Sequence, residues 1–157
     1  MAAPRSADAH RIGVIGGSQA DREELDAAVE AGRLIASAGY TLVCGGLGGV
    51  MEAAARGASE KGGAVIGILP GQSLADANPH VTVPIATGLG LLRNSLVVLN
   101  SEVLIATGGR YGTLSEIAYA GALGRPVFGI GTWPVEGVVA CATSAEALER
   151  ASRHLDR

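Results

Sequence analysis

Three glycine clusters stand where a chain could close around a phosphate: Gly16-Gly17 with Ser18, Gly45-Gly46-Leu47-Gly48-Gly49, and Gly108-Gly109-Arg110-Tyr111-Gly112. Each follows a short apolar run and precedes a helical pattern. Glycine lets the backbone approach a phosphate closely, and the free N–H groups at a helix start favour an anion. One such turn is weak evidence, because glycine also makes ordinary tight turns. Three at equivalent points of a repeated strand–turn–helix pattern ask for a ligand.

Two charged residues stand close to these turns in an otherwise weakly charged chain. Arg93 follows Gly88-x-Gly90, with Asn94 beside it. A cation near a helix start opposes the helix dipole at a cost of about 0.3–1 kcal/mol. Arg93 is therefore either a surface side chain lying along apolar neighbours or a ligand-facing cation, and Asn94 and the glycines favour the second. Glu116 stands three residues after Thr113. That spacing is itself a capping box, so the carboxylate could serve only its own helix. It could equally reach a ribose or a water beside the third glycine turn, facing a sugar because a carboxylate repels phosphate.

The missing signatures narrow the chemistry. No GxxxxGK[ST] occurs, which excludes a P-loop NTPase. The second apolar run ends in Cys44-Gly45, where a dinucleotide-binding domain carries an acid for the ribose, which argues against NAD. The three histidines are dispersed and suggest no metal site, and Ser115 has no His–Asp relay. Cys44 and Cys141 lie in apolar runs and read as reduced core thiols. Trp133 reads as a cover for the sheet edge, and Tyr111 as the better candidate for stacking a base.

The elements that must position these residues alternate regularly. Strands are expected at Arg11–Ile15, Tyr40–Cys44, Ala64–Leu69, Val81–Ile85, 102–106 and Val127–Ile130, with a further short run at Val138–Ala142. Helices are expected at Asp21–Ser37, 50–60, 89–100, 113–123 and from Ser144 onward, the first opened by an Asp21/Glu24 capping box. Strands separated by single helices pair in parallel with right-handed crossovers. The expected architecture is a single α/β, Rossmann-like domain over residues 11–157, with a doubly wound, mostly parallel sheet. Residues 1–10 read as a disordered polar tail. All three glycine turns then fall on the carboxyl edge of the sheet, where open α/β sheets bind ligands.

Composition agrees. The chain has 157 residues, 48% apolar and 17% charged, which suits one globular domain. Its 24 glycines stand well above average usage of about 7% and follow no collagen-like period. The net charge of −3, with scattered basic residues, counts against nucleic acid. No apolar run reaches membrane-spanning length, so a cytoplasmic protein without a membrane partner is expected. Helices 89–100 and 113–123 look apolar around much of their circumference, which predicts a homodimer or homotetramer.

Taken together, the run Gly45-Gly46-x-Gly48-Gly49-Val50-Met51-Glu52-Ala53, the pair Arg93-Asn94 and the run Gly108-Gly109-x-x-Gly112-Thr113-x-x-Glu116 resemble the LOG-like superfamily. That superfamily contains cytokinin-activating phosphoribohydrolases (long mislabelled lysine decarboxylases), molybdenum cofactor carrier proteins, and more distant relatives of DNA-processing protein A. The resemblance spans roughly residues 11–130. It implies catalytic roles for Arg93 and Glu116 if the chain is a phosphoribohydrolase. Asn94 and Thr107, however, replace the lysine and proline of those enzymes, and Arg-Asn looks more like the carrier branch.

The resemblance thus implies a protein that binds a phosphorylated, nucleotide-like molecule, with the molybdenum cofactor as cargo and no cofactor of its own. The alternative is hydrolysis of the N-glycosidic bond of a nucleoside 5′-monophosphate. The decarboxylase label fails on the residues: such an enzyme needs a Schiff-base lysine, and Lys61, the one lysine, lies at the sheet edge opposite the glycine turns.

Overall fold

The computed structural model describes residues 9–157. The expected tail therefore lies, up to residue 8, outside the described residues. Seven strands form one sheet: β1 (Arg11–Gly16), β2 (Thr41–Cys44), β3 (Val65–Leu69), β4 (Val83–Ala86), β5 (Val103–Thr107), β6 (Val127–Ile130) and β7 (Val138–Ala140). Their order is β4-β3-β2-β1-β5-β6-β7, and every neighbouring pair is parallel. Five α-helices alternate with them: α1 (Arg22–Ser37), α2 (Val50–Glu60), α3 (Asn94–Leu99), α4 (Tyr111–Leu123) and α5 (Ser144–Leu155).

This is the α/β, Rossmann-like, doubly wound sheet that the alternation of strand and helix patterns dictates. The chain lays β1 to β4 outward in one direction, then returns to place β5 on the other side of β1. The topological switch point is therefore the crevice above the carboxyl ends of β1 and β5.

The strands are buried on both faces. Ile12, Val14, Val103 and Ile105 belong to one core, beneath α1, α2 and α5. Ile15, Val43, Ile68, Leu104 and Ala106 belong to the other, beneath α3 and α4. Helix α1 opens on the capping box its sequence announces: Asp21 accepts from the Glu24 N–H at 2.8 Å, and Glu24 accepts from the Asp21 N–H at 3.2 Å. Helices α1 and α2 approach unusually closely. A methyl on Gly32 would lie 2.0 Å from the Ala54 carbonyl oxygen, and one on Gly57 would lie 2.0 Å from that of Val29. Glycine inside a helix costs about 0.5–1 kcal/mol relative to alanine, and these two permit the contact.

Two helix boundaries differ from expectation, and both matter to the site. The helix expected over 89–100 is a 3-10 turn at Gly90–Arg93 followed by α3. Gly88 and Gly90 have φ of +66° and +61°, which a right-handed α-helix cannot hold. Helix α4 starts at Tyr111, two residues before the expected position. Thr113 is thus inside the helix, and the Thr113/Glu116 capping box does not form.

Candidate functional site

A cavity of about 440 Å³ opens over the carboxyl ends of β1 and β2 and against the turn and helix that follow β5. Its lining brings together Gly16, Gly17 and Ser18 from the first turn, Gly45 from the second, Arg93 and Asn94 from the crossover, and Gly112, Thr113 and Glu116 from α4. These residues are up to 100 positions apart in sequence. Parallel β-α-β winding places them on one edge.

The remaining glycines of the set support the site without lining it. Gly46 and Gly49 turn the second loop with positive φ, and a methyl on Gly49 would fall 2.3 Å from the Gly17 carbonyl oxygen. That oxygen accepts the Val50 N–H at 3.0 Å, which ties the first turn to the start of α2. Gly108 and Gly109 form the bend before α4, where a methyl would strike Glu24 or Thr113 respectively. Gly48 and Gly112 are different. Neither has positive φ, and an added methyl would meet nothing within 4 Å at Gly48 and only Asn94, at 3.8 Å, at Gly112. The fold itself does not require glycine at either position.

Helices α2 and α4, which start beside the cavity, have no side-chain cap. By contrast, α1 and α5 are capped by Asp21 and Thr143. Uncapped helix starts leave N–H donors and the positive end of the dipole to attract an anion. The first turn of α2 also carries Glu52, and that of α1 carries Glu23 and Glu24. The first glycine turn therefore leads into an acid-rich helix start, whereas α2 carries one acid in its first turn and α4 none, so the start of α4 attracts an anion most. A second cavity, of about 520 Å³, is lined by Asp21, Glu23, Glu24 and Glu30, a setting that repels phosphate.

Arg93 is only 7% exposed. Its Nε donates to the Ile68 carbonyl at 2.8 Å, its Nη2 to the Gly45 carbonyl at 3.2 Å, and its Nη1 to the Asn94 side-chain oxygen. It is neither a surface arginine nor an unengaged cation. It pins the ends of β2 and β3 to the crossover while one side of it reaches the cavity. Burial lowers its pKa and the charge of Glu116 opposes that shift, yet a guanidinium stays protonated at neutral pH. Asn94 continues the network, with its Nδ2 3.3 Å from Ser115 Oγ and 3.4 Å from the Gly112 carbonyl oxygen.

Glu116 lines the same cavity at 8% exposure. Among the described residues it neither accepts a hydrogen bond nor forms an ion pair. Burial pushes its carboxyl up to about 8, against the opposing pull of Arg93. At neutral pH it is thus largely a neutral carboxylic acid, able to donate a hydrogen bond, and the repulsion of phosphate expected from a carboxylate is reduced.

Several lining residues escaped the sequence reading. Val14, Ile15, Leu47, Met51, Pro70 and Leu91 supply apolar walls, and Gln19 and Arg110 supply polar groups. The apolar ones resemble core residues in sequence, and no local signal distinguishes them. Arg110 does carry a local signal, a charge inside the third glycine cluster. Tyr111 does not line the cavity. It is 79% exposed and packs against Trp133, with ring centroids 5.8 Å apart. Cys44 and Cys141 are free, buried thiols, and burial pushes Cys44 up to about 11.

A single Rossmann-like domain with a small-molecule crevice at its switch point is the class that this fold and cavity define. The SLOG cluster4 family model matches residues 9–154, and the chain belongs to that family. A molybdenum cofactor binding protein from the phototrophic bacterium Rippkaea orientalis superposes with TM-score 0.89 at 34% identity, covering 94% of this chain and 98% of that one. The molybdenum cofactor carrier protein of Chlamydomonas reinhardtii superposes at 0.87 and 35% identity, over 94% and 99% of the two chains. An uncharacterized protein of Archaeoglobus fulgidus is 48% identical over 117 residues, 74% of this chain and 77% of its own length. DNA processing protein A from Helicobacter pylori, at 21% identity and TM-score 0.65, shares the fold.

Proposed function

We propose that this protein binds a phosphorylated pterin or nucleotide, the molybdenum cofactor being the favoured cargo, and carries it without chemical change. The observation that carries the reading is the pair of uncapped helix starts facing one cavity lined by Gly112, a glycine the fold does not need. Such a position leaves room that a side chain would fill, and backbone donors for a phosphate. The volume is within the roughly 300–1,000 Å³ usual for small-molecule sites. The likeness to proteins that bind or carry the molybdenum cofactor supports the choice of cargo.

The residues fit such a cargo by role. Met51 and Leu47 would flank a flat ring, the starts of α2 and α4 would receive the phosphate, and the neutral Glu116 could donate to a ring or sugar oxygen. The pterin would supply its own hold on the metal, so no protein metal ligand is needed.

Protein purified anaerobically from cells that make the cofactor tests this. Molybdenum and a fluorescent pterin oxidation product should co-purify with the wild type, and the Gly112→Ala variant should fold normally yet carry at least tenfold less of both. A wild type that carries neither, and shows no thermal shift with AMP or a pterin phosphate, would overturn the reading.

A second reading rests on Glu116, a protonated acid in the cavity. A general acid with a pKa near the working pH suits cleavage of an N-glycosidic bond. Incubation with AMP and N6-prenyl-AMP, following free base and ribose 5-phosphate, decides between carriage and hydrolysis. Base release that disappears in Glu116→Ala would make the protein a phosphoribohydrolase.

A further inference from the structure

We infer that Arg110, and not Arg93, is the cation that grips the ligand's phosphate, held in place by the loop that follows β6. This rests on the reading of the cavity as a phosphate site.

Three of the five N–H donors of Arg93, one on each nitrogen, are engaged with Ile68, Gly45 and Asn94. A guanidinium anchored through all three nitrogens can contribute its field, but it cannot turn toward a ligand without breaking those bonds. Arg110 also lines the cavity. It is exposed, and its guanidinium makes no hydrogen bond or ion pair with any described residue. It is the residue immediately before α4, at the uncapped helix start where an anion would sit. An arginine fork there can pair with two phosphate oxygens while the helix N–H groups take a third.

Its backbone is held from outside the turn. The Trp133 indole N–H donates to the Arg110 carbonyl at 3.0 Å, and the Trp133 ring packs against Tyr111. Thr132 donates its hydroxyl to the Gly108 carbonyl at 2.6 Å, and the Gly108 N–H donates to Ile130 at 3.2 Å. Thr132 and Trp133 are therefore positioning residues for the third glycine turn. Because Trp133 is the only tryptophan in the chain, its fluorescence reports directly on this turn.

Titration of the full chain with AMP, adenosine and inorganic pyrophosphate, followed by calorimetry and by Trp133 fluorescence, tests the assignment. Arg110→Ala should weaken AMP and pyrophosphate binding about tenfold or more and flatten their salt dependence. It should leave adenosine binding and Tm unchanged, and Arg110→Lys should recover part of the affinity. Trp133→Phe, which removes the indole donor but keeps a ring against Tyr111, should weaken AMP less than Arg110→Ala does. If the wild type binds AMP or pyrophosphate and Arg110→Ala binds them equally well, the assignment to Arg110 falls while the phosphate site stands. If the wild type binds neither, the phosphate reading of the cavity falls and the role of Arg110 falls with it.

Discussion

At the scale of single residues, the site sets two groups of opposite charge tendency in one cavity and shields both from water. Arg93 keeps its proton despite burial because a guanidinium's ordinary value lies far above neutral pH. Glu116, with no partner among the described residues, gains a proton instead. The consequence for stability has a definite sign. Between its ordinary value of 4.5 and about 8, the folded protein holds a proton on Glu116 that the unfolded chain releases. This contribution is full below pH 4.5 and is lost as pH rises through about 8. Glu116→Gln, which cannot ionise, should flatten that part of the stability profile. At pH 8.5 its Tm should exceed the wild type by about 5 °C or more, with little difference near pH 5. Parallel Tm–pH curves for the two proteins would refute the burial of a protonated Glu116.

At the scale of elements, the α1–α2 pair is the most demanding contact in the fold. Gly32 and Gly57 each face a carbonyl of the opposite helix at a distance that leaves no room for a methyl. Gly32→Ala would gain helix propensity, yet it must push α2 away and, with it, the glycine turn at the α2 start. Overpacking of this kind costs about 1–3 kcal/mol, a fall in Tm of roughly 3–10 °C. Thermal unfolding at neutral pH measures it, and an unchanged or raised Tm would show that the helices separate without strain.

At the scale of the whole molecule, one face of the sheet is incompletely covered. Helix α3 has six residues, and beyond it Val83 and Ile85 on β4 stay 49% and 43% exposed. Both pair in register with Ile66 and Ile68, so they point to the α3 side of the sheet. Leu91, Leu92 and Leu99 are also exposed, at 76%, 72% and 50%. An exposed apolar surface of this kind suits an interface, and Leu91, Leu92 and Leu99 lie in the 89–100 segment whose sequence predicts self-association. Light scattering should give two or four times the monomer mass of 15.7 kDa. Ile85→Arg combined with Leu99→Arg should shift it toward monomer, and a wild type already at monomer mass would refute the prediction.

The sequence alone determined the parts of this protein that depend on periodicity and local chemistry. Apolar runs such as Ile12–Ile15 and Val103–Ala106 declare buried strands. Asp21 and Glu24 declare a helix start, and the order of elements carries the three glycine clusters to one edge. Arg93, Asn94, Thr113 and Glu116 stood out because charge and polarity are sparse around them. What sequence could not convey depends on contacts between distant segments. The carbonyls that hold Arg93 belong to Gly45, just past β2, and to Ile68 in β3, 48 and 25 residues away. The protonation of Glu116 follows from how deeply α4 seats it, which a boundary shift of two residues changes from a cap to a cavity wall. Which glycines face the ligand and which serve the turn was decided only by tertiary structure, because a missing side chain leaves no mark in sequence of the neighbour it makes room for.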